Sequence, residues 1–285
     1  MNGETKRKTA FTKMEGIGND YIYFNCFEEE VTHPEDLSVM LSDRHFGIGG
    51  DGIVLICRSD IADAKMRMFN ADGSEGRMCG NAIRCVAKYL YEHGICKKEI
   101  VTVETLSGIK TLKLKVRGGS VSEVTVDMGK AETEACRIPV VSGKSSVINE
   151  KVKIAGGEYA VTCISMGNPH CVVYVENPAD IEIEKTGPLF ENDKMFPERV
   201  NTEFVSVINR NRIKMRVWER GSGETLACGT GACAAVAASV LNGYVNYGED
   251  VAVELIGGEL IINYTEERVL MTGPAREVFK GEIEI

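Results

Sequence analysis

The ten cysteines of this chain include no Cys-x-x-Cys pair, so a structural zinc site is not expected. No apolar run approaches the roughly 18 residues that span a bilayer. Positive charge is scarce: 33 Lys and Arg stand against 42 Asp and Glu, a net charge of -9, which argues against nucleic acid as a partner. Residues 1–9 are polar and lack the apolar core of a signal peptide. They read as a disordered extension, and a cytoplasmic protein with reduced thiols is expected. Two nucleotide signatures also fail. Gly47-Ile48-Gly49-Gly50-Asp51-Gly52 spells G-x-G-x-x-G, but a helical pattern precedes it and an apolar strand follows, the reverse of a dinucleotide-binding turn. Gly143-Lys144-Ser145 lacks the upstream glycine of a phosphate-binding loop.

What is present is an ordinary globular composition, 44% hydrophobic and 26% charged, in a chain of 285 residues. That length suggests two domains. Two stretches look like copies of one device: Met78-Cys79-Gly80-Asn81-Ala82 and Ala227-Cys228-Gly229-Thr230-Gly231. In each, Cys-Gly stands just ahead of a helical segment. Unpaired backbone N–H groups and the helix dipole at such a start favour a thiolate, and two opposed thiols would make a pair of proton-transfer groups. Around them run short strands split by glycine and asparagine turns. Pro34–Phe46 reads as a helix with proline in its first turn. Ile83, Val86, Ala87 and Leu90 give helical spacing, closed by His93-Gly94. Residues 231–241 are apolar all round, so that helix is expected to be buried. Strand-rich stretches without intervening helices disfavour a purely parallel fold, and the spacing of the cysteines suggests an internal repeat at domain scale.

Further motifs occur in order: Gly16-Ile17-Gly18-Asn19-Asp20, Phe69-Asn70-Ala71-Asp72-Gly73-Ser74, Gly167-Asn168-Pro169-His170, Arg199-Val200-Asn201-Thr202-Glu203-Phe204 and Trp218-Glu219-Arg220-Gly221-Ser222-Gly223-Glu224-Thr225. With the two cysteine motifs, they make the chain resemble the diaminopimelate epimerase family from about Phe11 to Gly281. The resemblance implies an α+β fold of two pseudo-symmetric domains, each a curled, barrel-like sheet around a central helix, with the active site in the interdomain cleft. The expected domains are 10–129 with 275–285, and 130–274. It implies epimerisation of L,L-diaminopimelate to the meso form without pyridoxal phosphate, metal or other cofactor, a place in lysine and cell-wall precursor biosynthesis, and a homodimer.

By the same resemblance Cys228 accepts the α-proton of the L,L isomer and Cys79 donates on the opposite face. His170 and Glu219 set the thiol pKa values, His170 beside Cys79 and Glu219 beside Cys228. Gly80, Asn81, Gly229 and Thr230 offer backbone N–H groups to the α-carboxylate. Arg220 suits the distal carboxylate and Glu219 also an ammonium. Asn19, Asn70, Asn168 and Asn201 match substrate-binding asparagines. The chain departs from family members at Gly52, where some have glutamine, at Ala82, where many have glycine, and at Phe279, where some have a tyrosine at the dimer contact. The rival readings are a related two-cysteine racemase acting on histidine, proline or hydroxyproline, and a non-catalytic binding or redox-sensing thiol module.

Overall fold

Short antiparallel strands and two helix crossovers build each of two compact units, one running to Val126 and resuming at Gly273, the other Asp127–Thr272. The structure is a computed structural model that describes residues 7–154 and 156–284. Each unit is a mixed sheet with the same strand order.

The first unit contains β1 (Lys8–Gly16), β2 (Asn19–Asn25), α1 (Pro34–Ser42), β3 (Gly52–Cys57), β4 (Ala64–Asn70), the two-residue β5 (Glu75–Gly76), α2 (Gly80–Glu92), β6 (Ile100–Thr105), β7 (Gly108–Arg117) and β8 (Ser120–Asp127). β1 and β2 form a hairpin, β2 runs parallel to β3, and β3 is antiparallel to β4. β4 runs parallel to β6, which continues antiparallel into β7 and β8. The chain's last strand, Arg276–Glu284, returns to lie antiparallel on β1. The parallel steps need crossovers, and α1 and α2 supply them. α1 packs on β3 and β4, while α2 packs on β1, β2, β6 and β7. Strands far apart in sheet order thus meet one helix, so the sheet curls around α2. The expected extension is too long at its inner end: β1 already begins at Lys8 and Thr9 is buried, because Thr9 pairs with Ile283 across the returning strand. Residues 1–6 lie outside the described residues.

The second unit repeats this plan with β9 (Glu150–Ile154), β10 (Gly157–Ser165), β11 (Pro169–Tyr174), α3 (Ile183–Glu191), β12 (Asn201–Asn209), β13 (Arg212–Glu219), β14 (Gly223–Glu224), α4 (Gly229–Leu241), β15 (Asp250–Leu255), β16 (Gly258–Tyr264) and β17 (Val269–Gly273). The strand of residues 276–284 is β18. Parallel pairs again fall at β11–β12 and β13–β15. Pro34 and Ile183, Gly52 and Asn201, and Gly80 and Gly229 open matched elements at one constant spacing, 149 residues. Two copies of one topology are therefore fused in a single chain.

Packing differs where the sequence differs. In the first unit Leu37 and Leu41 of α1 join Phe11, Ile22, Phe24, Ile53, Leu55 and Phe69 in one core. In the second, Phe190 of α3 meets Phe204 and Tyr159 edge-on within a core that reaches Trp218. Each large side chain so buried contributes roughly 1.5–3 kcal/mol. α4 is buried as expected: Ala232, Ala234, Ala235, Ala237 and Ala238 leave it slim enough for strands to close on every side. α2 is also buried but carries Arg84, whose Nε donates to the carbonyl of Pro274 and whose Nη1 donates to that of Gly80. That buried guanidinium ties α2 to the segment leading into β18. No helix among the described residues is long and apolar enough to cross a membrane.

Candidate active site

Cysteine takes the place usually held by serine or aspartate at the start of both central helices. Cys79 caps α2 and Cys228 caps α4, each with extended backbone and with its sulfur accepting from the N–H three residues on: Ala82 N at 3.5 Å and Gly231 N at 3.4 Å. The N–H groups of Gly80 and Asn81, and of Gly229 and Thr230, lie in first turns that offer no intrahelical acceptor. Each helix start thus presents a thiol beside backbone N–H groups that no helix carbonyl satisfies.

In the first unit Cys79 Sγ donates to Asn19 Oδ1 at 3.3 Å, and Asn19 Nδ2 donates to Asp51 Oδ2 at 2.7 Å. Asn19 is therefore held between the thiol and a charged network. Asp20 binds Lys13 Nζ and Arg44 Nη2, and Arg44 reaches on to Asp51. Burial would raise the Asp20 carboxyl, but Arg44 and Lys13 outweigh it and hold it low. Burial, together with the charge of Asp20, pushes the Asp51 carboxyl up. Asn70 ends β4, with Nδ2 donating to Ser74 Oγ, and Asn81 is buried in α2. Gly52, where a glutamine was noted as absent, stands opposite Asn70, and a Cβ there would meet the Phe69 carbonyl oxygen at 2.0 Å. The close approach of β4 alone excludes a longer side chain.

The second unit carries more ionisable groups. Glu219 ends β13 at the position matching Asn70 and is buried against Thr225 Oγ1 and the Cys228 thiol. Burial pushes its carboxyl up, against the pull of those two hydrogen bonds. Burial also pushes the Cys228 thiol well up, and the negative charges of Glu219 and Glu203 add to it; the Thr230 hydroxyl and the Gly231 N–H pull the other way and lose. The helix start therefore does not leave Cys228 a ready thiolate, as the sequence had suggested, because desolvation and two carboxylates outweigh the hydrogen bonds it offers the sulfur.

His170 is fully buried, with Nδ1 2.7 Å from Glu203 Oε1 and Nε2 3.0 Å from Asn168 Oδ1. Asn168 Nδ2 in turn donates to Thr230 Oγ1 at 3.3 Å, and that hydroxyl lies 3.5 Å from Cys228 Sγ. Asn201 uses both ends of its amide on backbone, donating to the Pro169 carbonyl and accepting from Arg220 N. It shapes the turn that carries Arg220, whose guanidinium donates to the Glu198 carbonyl.

Two residues of this neighbourhood were missed by sequence reasoning. Glu203 was quoted within a motif but given no role. Glu191 at the end of α3 accepts from Trp218 Nε1, Arg199 Nη1 and Gly221 N, all within 3.0 Å, and so anchors the turn after Glu219. Trp218 reaches it because Gly187 leaves room: a Cβ there would lie 2.3 Å from the indole. The only forward signal was a lone acid at the end of a helix pattern interrupted by Gly187-Pro188. Among the described residues no group of three His, Cys, Asp or Glu side chains is placed to hold a metal ion.

A profile of the family described as diaminopimelate epimerase matches residues 11–134 and 162–278. The chain belongs to that family. A diaminopimelate epimerase of Acetivibrio thermocellus is 56% identical over 96% of this chain and 98% of its own length. One from Methanococcus maripaludis is 54% identical over 96% and 99%. Among solved structures, a phenazine biosynthesis protein of the PhzF family from Bacillus anthracis superposes with a TM-score of 0.72 at 16% identity, covering 98% of this chain and all (100%) of that one. A hydroxyproline epimerase from Agrobacterium vitis does so with 0.70 at 15% identity, over 98% and 93%. At such identities these two show the shared α+β fold of paired curled sheets and nothing about substrate.

Proposed function

We propose that this protein epimerises L,L-diaminopimelate to meso-diaminopimelate with Cys228 and Cys79 as the two bases. The observation that carries this reading is the pair of cysteine-capped helix starts, matched residue for residue in two copies of one fold. Inversion at carbon needs a base on one face and an acid on the other. Glu219, its basicity raised by burial, takes the proton of the Cys228 thiol. The Cys228 thiolate then removes the α-hydrogen, and the Cys79 thiol, which donates to Asn19 in the resting structure, gives its proton to the opposite face. The cycle leaves Cys228 protonated and Cys79 as thiolate, so the reverse reaction uses the roles exchanged. An amino acid's α-hydrogen is feebly acidic, and first-turn N–H groups at Gly80–Asn81 and Gly229–Thr230 stabilise the carbanion through the α-carboxylate.

Asn19, Asn70, Asn168 and Arg220 hold the substrate in this reading, and Asn201 aims Arg220. No cofactor takes part. Val278 and Phe279 stand about half exposed on β18 and support a homodimer with an apolar contact. Two working thiols need a reducing compartment, which favours the cytoplasm and lysine biosynthesis there. The test is α-hydrogen exchange in D₂O with diaminopimelate, proline, hydroxyproline, histidine and glutamate. Rapid exchange confined to diaminopimelate is expected. Exchange confined to proline, hydroxyproline or histidine would replace the substrate and keep the two-base scheme. No exchange with any of them would overturn both.

A further inference from the structure

Glu203 sits in β12 between β11 and β13, hydrogen-bonded on both sides, and has no path to water: its exposure is 0%. One carboxylate oxygen meets His170 Nδ1 at 2.7 Å, and the other, equally buried, has no hydrogen-bond partner. A Cβ built on Gly231 would lie 2.7 Å from Glu203 Oε1 and 3.2 Å from Cys228 Sγ. The carboxylate therefore runs alongside the first turn of α4, against the residue whose N–H caps the thiol.

His170 adds a second observation. Its Nε2 faces the amide oxygen of Asn168, whose Nδ2 is committed to Thr230 Oγ1. The ring therefore bridges the buried Glu203 carboxylate and the Asn168 amide that leads on to Thr230 and the start of α4. The charged groups that face Cys228 are then Glu219 from the end of β13 and Glu203 from β12, with His170 from β11 behind Glu203. The two carboxylates leave the empty thiol in a negative surrounding.

We propose that Glu203 is a positioning residue that ties the state of the Cys228 thiol to the charge of the substrate: with Glu219 it surrounds the sulfur with negative charge until a cationic amino group enters. The substrate's ammonium offsets that charge and Glu219 can then accept the thiol proton. An empty enzyme so built keeps Cys228 unreactive toward electrophiles. This proposal rests on Cys228 being the accepting base, but its readouts do not need turnover.

The experiment measures iodoacetamide alkylation of Cys228 by peptide mass spectrometry across pH, in the full chain and in Glu203→Gln and Glu203→Asp. Glu203→Gln keeps the shape and loses the charge. Its alkylation midpoint is expected to move at least one pH unit down, about tenfold faster labelling near neutrality. The pH profile of kcat/KM should shift in the same direction. Glu203→Asp keeps the charge and should stay near the parent on both readouts, even where its melting temperature falls. If Glu203→Gln does not fold, an Asp variant that alkylates as fast as an unhindered thiol would overturn the proposal, and one that stays slow would support it. Coincident alkylation and pH profiles for Glu203→Gln and the parent, with only stability changed, would overturn it in favour of a packing role. A shifted alkylation curve in a protein that exchanges no α-hydrogen would support the charge coupling and sink the epimerase reading instead.

Discussion

Asn70 and Glu219 end the same strand in the two units, at matched positions, one neutral and the other acidic. Around this one difference the second unit gathers Glu203 and His170, while the first sets the Asn19 amide beside its thiol, with Asp51, Arg44 and Asp20 beyond that amide. The backbone plan is duplicated and the proton chemistry is not.

Replacing either thiol should stop catalysis without unfolding the chain. Cys79→Ser and Cys228→Ser keep an oxygen at the helix start, so the cap survives. The α-hydrogen exchange rate is expected to fall by on the order of 10²–10⁴-fold in each. Undiminished exchange in either variant would remove that thiol from the scheme.

Glu219 should destabilise the fold when ionised. Burial raises its folded pKa above the unfolded value, so the cost is absent in acid, where both states are protonated, and fully present once pH exceeds the folded pKa. Glu219→Gln is therefore expected to raise the melting temperature at pH 8 relative to the parent and to change it little at pH 4. Urea melts at the two pH values check this, and an equal change at both would refute the assignment. Activity should drop in the same variant, since the amide cannot take the thiol proton.

Gly231→Ala and Ala82→Gly probe one helix position in the two units. Helix propensity alone favours alanine by roughly 0.8–1 kcal/mol at both sites. At Gly231 the new Cβ would press on Glu203 Oε1, which is buried and cannot move aside. Overpacking of about 1–3 kcal/mol should win there. Both substitutions are thus expected to destabilise, one by clash and the other by lost propensity. A more stable Gly231→Ala protein would mean that Glu203 is free to shift.

Arg67–Glu75 and Arg216–Glu224 are matched ion pairs that pin the two-residue strands leading to the cysteines. The first is over a third exposed and worth about 0.2–1 kcal/mol. Arg216 is more buried and its Nη1 also donates to the carbonyls of Pro178 and Ile181 at 2.9 Å. Arg216→Ala should cost roughly 2–3 kcal/mol in urea denaturation and Arg67→Ala under 1, since part-buried charged hydrogen bonds are lost only in the former. Equal losses would show that the extra carbonyl contacts contribute nothing.

The parts that were legible in the sequence obeyed local rules. A cysteine and a glycine ahead of an apolar 3.6-residue pattern marked both capped helices, and Ala-rich residues 231–241 announced a buried one. Asn19, Asn70 and Asn168 were singled out through the family resemblance alone, since asparagine in a glycine turn by itself reads as a cap for the backbone. Glu203 was not legible, since an acid in a strand normally faces water and only the packing of α4 on that face of β12 removes that option. The sequence of α3 is interrupted by Gly187-Pro188, which hides a role of Gly187 that only the fold shows, admitting Trp218. β18 gave no clean alternation, since Val278 and Phe279 sit side by side and both remain exposed. The strength of the thiol's burial was also invisible, so the helix start looked decisive when desolvation and two carboxylates outweigh its hydrogen bonds.

β18 lies against β1, with Lys8 opposite Glu284. The unit that begins first on the ribosome is therefore completed last, while every strand of the other, from β9 to β17, has already emerged. An inserted unit with mostly local strand pairs can gain its structure during synthesis, whereas the enclosing one must wait for the final hairpin-length segment to close over a loop of the whole chain. Cys228 would then reach its native surroundings before Cys79 does, although it is made later.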